Sequence, residues 1–392
     1  MKLSYTDLLK FIVDTPSIEE LSDKLFQLGH EHEIENHIFD MELTPNRGDC
    51  LSLLGLARDL NAFYNTNLLV EKYEEEIDSL DLDFINLSSN DCPRISFLEL
   101  EVEALPEHYH GYLESYFKDM QVGKNNFFTD ISNYISYELG QPTHCFDKSK
   151  LNGRISFESK KCDTPFTTLL DTDIELEGNN CVFLDNNEII SLAGVMGGKS
   201  TACSKDTKKV LIECAYFNPE SIIGKSIQYN LHSDAAHKFE RGVDINSHEI
   251  VLRRFIKIVE QHAKIKACKI TSFDSKVISN KELPINLDKI NAILGTSISS
   301  EVFKNILIKL GFDTTSKIKV PSYRSDITSQ NDLAEEVARV LGYDNIPVKN
   351  FVIKNDHKKN NDHYKHNEEA LKSFLVENGF YEVINSSFSP ES

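Results

Sequence analysis

Leu21, Leu25, Phe26 and Leu28 follow Thr15-Pro16-Ser17 and precede Gly29, a spacing that predicts a helix with proline near its start and glycine just past its end. A second helix is predicted over residues 49–64. Between residues 94 and 217 the helical period gives way to short apolar segments, among them 154–157, 181–184 and 210–214, broken by Gly, Asn and Asp. That pattern predicts a domain rich in mixed sheet. Helical spacing returns over 238–266, and a compact module begins near Pro284, with helices expected over 299–310 and 331–341 and a strand at 317–320. Residues 354–362 are too polar to bury and read as a linker. A helix over 368–380 and a strand over 383–388 then look like the opening of another domain.

The chain also echoes itself. Ser17, Glu19, Leu21, Leu25 and Gly29 recur at the same spacing as Ser299, Glu301, Phe303, Leu307 and Gly311. Each copy is followed by a proline with an Arg-x-Asp, Pro45 with Arg47 and Asp49, then Pro321 with Arg324 and Asp326. Each then carries an Ala-Arg pair, Ala57-Arg58 and Ala338-Arg339. Two related small domains are therefore expected to flank the sheet-rich one. The reading is α+β and multidomain, with a small helical domain over 1–85, the sheet domain over 86–275, a second small domain over 280–348, a linker over 349–366 and the start of a further domain over 367–392.

Charge narrows the function. Asp+Glu number 62 against 42 Lys+Arg, a net charge of −20 that repels nucleic-acid backbones unless basic residues gather on one face. Residues 253–281 are the exception, with eight Lys and Arg (Arg253 to Lys281) against Glu260 and Asp274, a stretch that could touch RNA but reads first as a solvated basic helix face. No two of the eight cysteines form a Cys-x-x-Cys, which removes zinc-knuckle and dithiol readings. Asp7 interrupts any leader-like apolar core and no apolar run approaches a membrane span, so a reducing, cytoplasmic setting is expected.

Three constellations could carry chemistry. Ala193 to Ser200 approximates a phosphate-binding loop, but the residues after it predict a turn and a strand where that mechanism needs a helix. Asp332, Glu335 and Glu336 share a helix face that Asp326 can reach, an all-oxygen set suited to Mg²⁺, although spacing alone favours Asp332 with Glu335 as a capping pair at a helix start. Glu213 sits inside the apolar run 210–215, so it is either paired in the core or aimed into a pocket. Nothing resembles a nucleophile elbow, so any hydrolysis would use water.

In order along the chain stand Leu43-Thr44-Pro45-Asn46-Arg47-Gly48-Asp49-Cys50, Gly55-Leu56-Ala57-Arg58, Gly140-Gln141-Pro142-Thr143-His144-Cys145-Phe146-Asp147, Ala193-Gly194-Val195-Met196-Gly197-Gly198, Phe239-Glu240-Arg241-Gly242-Val243-Asp244 and Glu335-Glu336-Val337-Ala338-Arg339-Val340-Leu341-Gly342-Tyr343-Asp344. These segments resemble the beta subunit of bacterial phenylalanyl-tRNA synthetase. The resemblance implies a partner in an (αβ)₂ tetramer that joins phenylalanine to its tRNA using ATP, with the aminoacylation site on the alpha subunit. It implies that the sheet domain edits by hydrolysing tyrosine misattached to that tRNA, a second sieve that recognises one hydroxyl. By position, Glu213 would bind the tyrosine hydroxyl, while His144, Ser132, Asn133 and the backbone of Ala193 and Gly194 would hold the ester and position water. Asp326, Asp332, Glu335 and Glu336 match the family's magnesium ligands, shared with the alpha subunit. The flanking domains would be winged-helix-like and the last segment the start of an inactive synthetase-like domain.

This chain departs from the pattern in four places. Ser132 stands where threonine is usual, and Lys238 where arginine is usual. Residues 34–41 bridge directly the gap that usually holds an oligonucleotide-fold domain for tRNA, and the sequence ends at Ser392, early in the synthetase-like domain. A shortened beta subunit is the expectation, with a free-standing hydrolase of mischarged tRNA or a non-functional fragment as alternatives.

Overall fold

The computed structural model describes residues 1–275, 280–348 and 362–387. Ser17 and Glu20 form a reciprocal cap at the start of the helix Ile18–Gln27, which buries Leu21 and Leu25. Gly29, at φ +86°, ends it. The chain then forms a three-stranded sheet in which Ile38–Glu42 lies between Lys2–Ser4 and Glu31–Glu35. The single helix expected over 49–64 is in fact a short turn, Gly48–Cys50, and a helix, Leu53–Leu60. Ser52, extended at φ −162°, restarts the helix by accepting the Gly55 N–H.

Two five-stranded sheets build the middle of the chain. The first runs Asp78–Ser79, Ile265–Asp274, Arg94–Val102, Lys209–Tyr216 and His144–Asp147. The second runs Met196–Gly197, Glu188–Leu192, Asp173–Asp185, Ile155–Thr167 and Phe84–Asn86. Alternation divides the central strands between two cores. Leu98, Leu100, Val210, Ile212 and Cys214 pack with the helices Phe127–Leu139 and His248–His262. Phe97, Leu211 and Ala215 pack instead with Phe157 and Phe183 of the second sheet. The boundary expected between 85 and 86 falls inside a strand of this domain, because residues 78–86 already supply an edge to each sheet.

The basic stretch is not a helix face. It splits into the end of His248–His262 and the strand Ile265–Asp274, and several of its cations are paired: Arg254 with Glu138, Arg253 with Glu249, Lys264 with Glu103 and Lys266 with Glu101. Lys276 lies outside the described residues.

A third core forms from Ile290, Phe303, Leu307, Ile318, Leu333 and Val337, under the helices Leu287–Leu294, Ser300–Lys309 and Gln330–Leu341. Ala62, from the first domain, is buried in it. All of this belongs to one compact unit, Met1–Pro347. In the second unit the helix Asp362–Glu377 begins inside the span expected to be linker, whose residues 349–361 lie outside the described residues. Residues 383–387 form no strand, and Phe388 lies outside the described residues.

Candidate active site

The strand Lys209–Tyr216 turns Leu211, Glu213 and Ala215 toward the second sheet, so Glu213 is the polar member of an apolar row. In the antiparallel register Phe97 stands opposite it on one side and His144 on the other. Directly opposed side chains lie on one face about 5 Å apart at their Cβ atoms. Among the described residues no hydrogen-bond or ion-pair partner reaches the Glu213 carboxyl, and burial pushes its pKa from 4.5 up to about 8. At neutral pH it is a protonated acid with a hydrogen to donate. Burial lowers His144 from 6.5 to about 4, which leaves the imidazole neutral. Its Nε2 is buried without a partner.

These groups line a cavity of about 1280 Å³ between the two sheets and the helix Phe127–Leu139. That helix starts at Asn126, which accepts the Thr129 N–H, and ends at Gly140 in the left-handed conformation. Ser132, on its inner side, donates to the Thr143 carbonyl at 2.6 Å and lies 2.8 Å from the Thr143 hydroxyl, fixing the residue immediately before His144. Asn133 is exposed to the cavity mouth. Gly194, at φ +71°, also lines the space. Ala193 does not, and its N–H is bonded to the Cys181 carbonyl at 2.9 Å.

Two cavity residues carry weight that spacing does not reveal. A Cβ on Gly197 would fall 2.2 Å from His144 Cε1, so glycine there makes room for the imidazole. Lys238 is buried in the helix Asp234–Arg241 and donates to both the carbonyl (2.6 Å) and the hydroxyl (2.8 Å) of Ser136. Burial lowers it from 10.5 to about 8. The loop resembling a phosphate cradle joins strands, as expected. Its Lys199 lies in a three-residue turn, paired with Asp171, and no helix follows to hold a phosphate.

The four acids expected to hold Mg²⁺ are not gathered around one point. Arg324 takes both oxygens of Asp326, at 2.9 and 2.8 Å. Glu336 lies between Arg324 and Arg339. Asp332 caps its helix by accepting the N–H groups of Thr328 and Ser329, and Glu335 is exposed. Among the described residues, the one set of three acidic, His or Cys side chains whose ligand atoms converge is His30, Cys50 and Asp59, all buried. There Arg47 donates to Cys50 Sγ at 2.8 Å, and His30 Nε2 lies 2.7 Å from Asp59. The residues present do not fit a divalent ion.

Residues 113–264 match the B3/4 domain and residues 283–343 the tRNA synthetase B5 domain. The chain is thus an α+β protein built from synthetase-type domains. It is a homologue of the phenylalanine–tRNA ligase beta subunit. It is 31% identical over 369 residues to that of Francisella tularensis, covering 91% of this chain and 46% of the relative. With the Fusobacterium nucleatum subunit it shares 32% identity over 369 residues, covering 90% and 46%. The chain therefore spans about half the length of the curated relatives it matches. The crystal structure of an N-terminal fragment of the Pyrococcus horikoshii phenylalanyl-tRNA synthetase beta subunit superposes with a TM-score of 0.47 at 17% identity, over 87% of this chain and 99% of that one. No described helix is long and apolar enough to cross a membrane.

Proposed function

We propose that the cavity hydrolyses tyrosyl esters of the tRNA for phenylalanine, and that the chain works with a phenylalanine–tRNA ligase alpha subunit in an (αβ)₂ assembly in the cytoplasm, the alpha subunit carrying the ATP-dependent attachment. In this reading the Asp362–Glu377 helix opens a synthetase-like domain without activity of its own, and the two small domains are winged-helix-like relatives. The observation that carries the proposal is Glu213: a buried, protonated, partnerless acid beside a neutral His144, within the B3/4 match. A phenolic hydroxyl entering an apolar pocket needs such a partner, whereas phenylalanine would leave the acid unpaired. In the neutral tautomer that carries its proton on Nδ1, His144 Nε2 accepts a hydrogen bond from water, which adds to the ester carbonyl as the ribose oxygen leaves with a proton.

The test is release of amino acid from tRNA charged with tyrosine or with phenylalanine, using the chain alone and with the alpha subunit. Tyrosine should be released and phenylalanine retained, and Glu213→Ala should erase the preference. Equal release of both, or selectivity unchanged by Glu213→Ala, overturns the reading.

A further inference from the structure

The carboxylates of the second small domain already have a use. Glu336 Oε2 accepts from Arg324 at 2.6 Å and also from Arg339. Its Oε1 accepts from Arg324 at 2.7 Å and Arg339 at 3.0 Å. A carboxylate oxygen has about two lone-pair positions, so both oxygens of Glu336 are filled by guanidinium donors. Nothing on that side chain is left for a cation.

The same arginine crosses to the first domain. Arg339 donates to both oxygens of Asp59, at 2.6 and 2.8 Å, across 280 residues of chain. Asp59 also lies 3.0 Å from Arg47, which holds Asp49 by two further bonds of 2.9 Å. Arg47, Asp59, Arg324, Glu336 and Arg339 are all buried. The arrangement is reciprocal between the two sequence repeats. Arg58 of the first repeat stacks over Tyr323 of the second at 4.2 Å, while Arg339, at the matching place in the second, reaches Asp59 of the first. Main-chain contacts surround the crossing: Asn61 donates to the Lys309 carbonyl and Gln27 to the Val340 carbonyl.

We infer that Asp326 and Glu336 hold Arg324 and Arg339 in a buried arginine clasp, which fixes the two small domains to each other through the Arg339 bonds to Asp59, and that in this chain they do not ligate a divalent cation. Buried charges held this way give little net stability, but removing one partner strands the others and is costly. Two planar guanidinium forks fix angle as well as distance, so the clasp sets one orientation of the domains.

Electron paramagnetic resonance of added Mn²⁺ tests the inference, on the full chain alone and in its complex with an alpha subunit, together with thermal unfolding. The clasp predicts that no bound Mn²⁺ depends on Glu336 or on the exposed Glu335, and that unfolding is unchanged by Mn²⁺ or chelator. Glu336→Gln should lower the unfolding temperature by roughly 6–10 °C and open the junction between the domains to proteolysis. Glu335→Gln should change neither. Mn²⁺ binding lost in Glu335→Gln or Glu336→Gln overturns the inference, as does a Glu336→Gln chain as stable as the parent. Binding that survives both substitutions lies elsewhere and leaves the clasp standing. Should Glu336→Gln fail to fold, the unmodified chain and Glu335→Gln decide the matter.

Discussion

A methyl group on Gly197 would stand 2.2 Å from Cε1 of His144, closer than any real side-chain contact. The hairpin Glu188–Leu192 with Met196–Gly197 therefore presses its backbone on the imidazole from the second sheet, while Phe146 meets the ring edge-on at 4.4 Å. Gly197→Ala must push the ring or the hairpin aside. It is expected to cut tyrosine release by about tenfold or more, as misplacement of a reacting group by even 1 Å does. Circular dichroism should show the fold intact. Undiminished release in a folded Gly197→Ala chain would remove His144 from the chemistry.

Glu213 makes the pocket costly to keep. The folded chain retains a proton on this acid that the unfolded chain releases above pH 4.5, so its contribution lowers stability as pH rises from there and levels off beyond about 8. At pH 7 the cost is about 3 kcal/mol. Glu213→Gln, which cannot ionise, should gain on the parent in urea unfolding between pH 5 and pH 8. Parallel pH profiles for the two chains would mean that the carboxyl ionises freely.

His144 works in the opposite direction. The unfolded chain takes up a proton below pH 6.5 that the buried imidazole refuses until about pH 4, so stability falls as pH drops through that interval. His144→Gln should flatten the acid side of the stability profile and leave the alkaline side as it was. Unfolding followed from pH 4 to pH 8 separates the two residues.

Arg254 and Glu138 anchor the helix that carries Ser132 and Asn133. Two bonds of 2.7 and 2.8 Å join it to the helix His248–His262 in a buried bidentate pair. Glu138→Ala should cost about 3 kcal/mol, because Arg254 loses its buried bidentate partner and keeps only the Glu71 carbonyl at 3.0 Å and a longer 3.7 Å approach to the Glu71 carboxylate. Adding Arg254→Met should restore most of that, as a double-mutant cycle would show. An additive double mutant would mean that the two side chains do not act as a pair.

The helix boundaries and the sheet-rich middle of the chain were readable because capping residues, glycine stops and apolar periods are local signals. Ser17, Gly29 and Ser299 act where spacing placed them. Glu213 stood out because a carboxylate inside an apolar strand is anomalous whatever its partners. The use of Asp326 and Glu336 was not readable in this way. Their spacing with Asp332 and Glu335 suits a cation, and Arg324 and Arg339, which meet them in the fold, leave no local mark at these positions, nor does Asp59, reached from 280 residues away. Lys238 gave no local signal either, since its partner Ser136 is 102 residues distant. The basic stretch shows the same limit: composition counts cations but does not count glutamates such as Glu138 and Glu101 that distant parts of the chain bring to them.

The bond between Asp59 and Arg339 also sets an order of events in biosynthesis. Asp59 and Ala62 are made early, yet the guanidinium that Asp59 holds and the core that Ala62 enters are encoded far downstream. The first domain leaves the ribosome with a carboxylate held only by its own Arg47 and His30, and with an apolar edge that stays uncovered until the helix ending at residue 341 has been added. The sheet domain has by then been synthesised whole, as a loop whose two ends are finally drawn together. Such long-range closure makes the last docking step slow and leaves the waiting surface open to chaperones or aggregation.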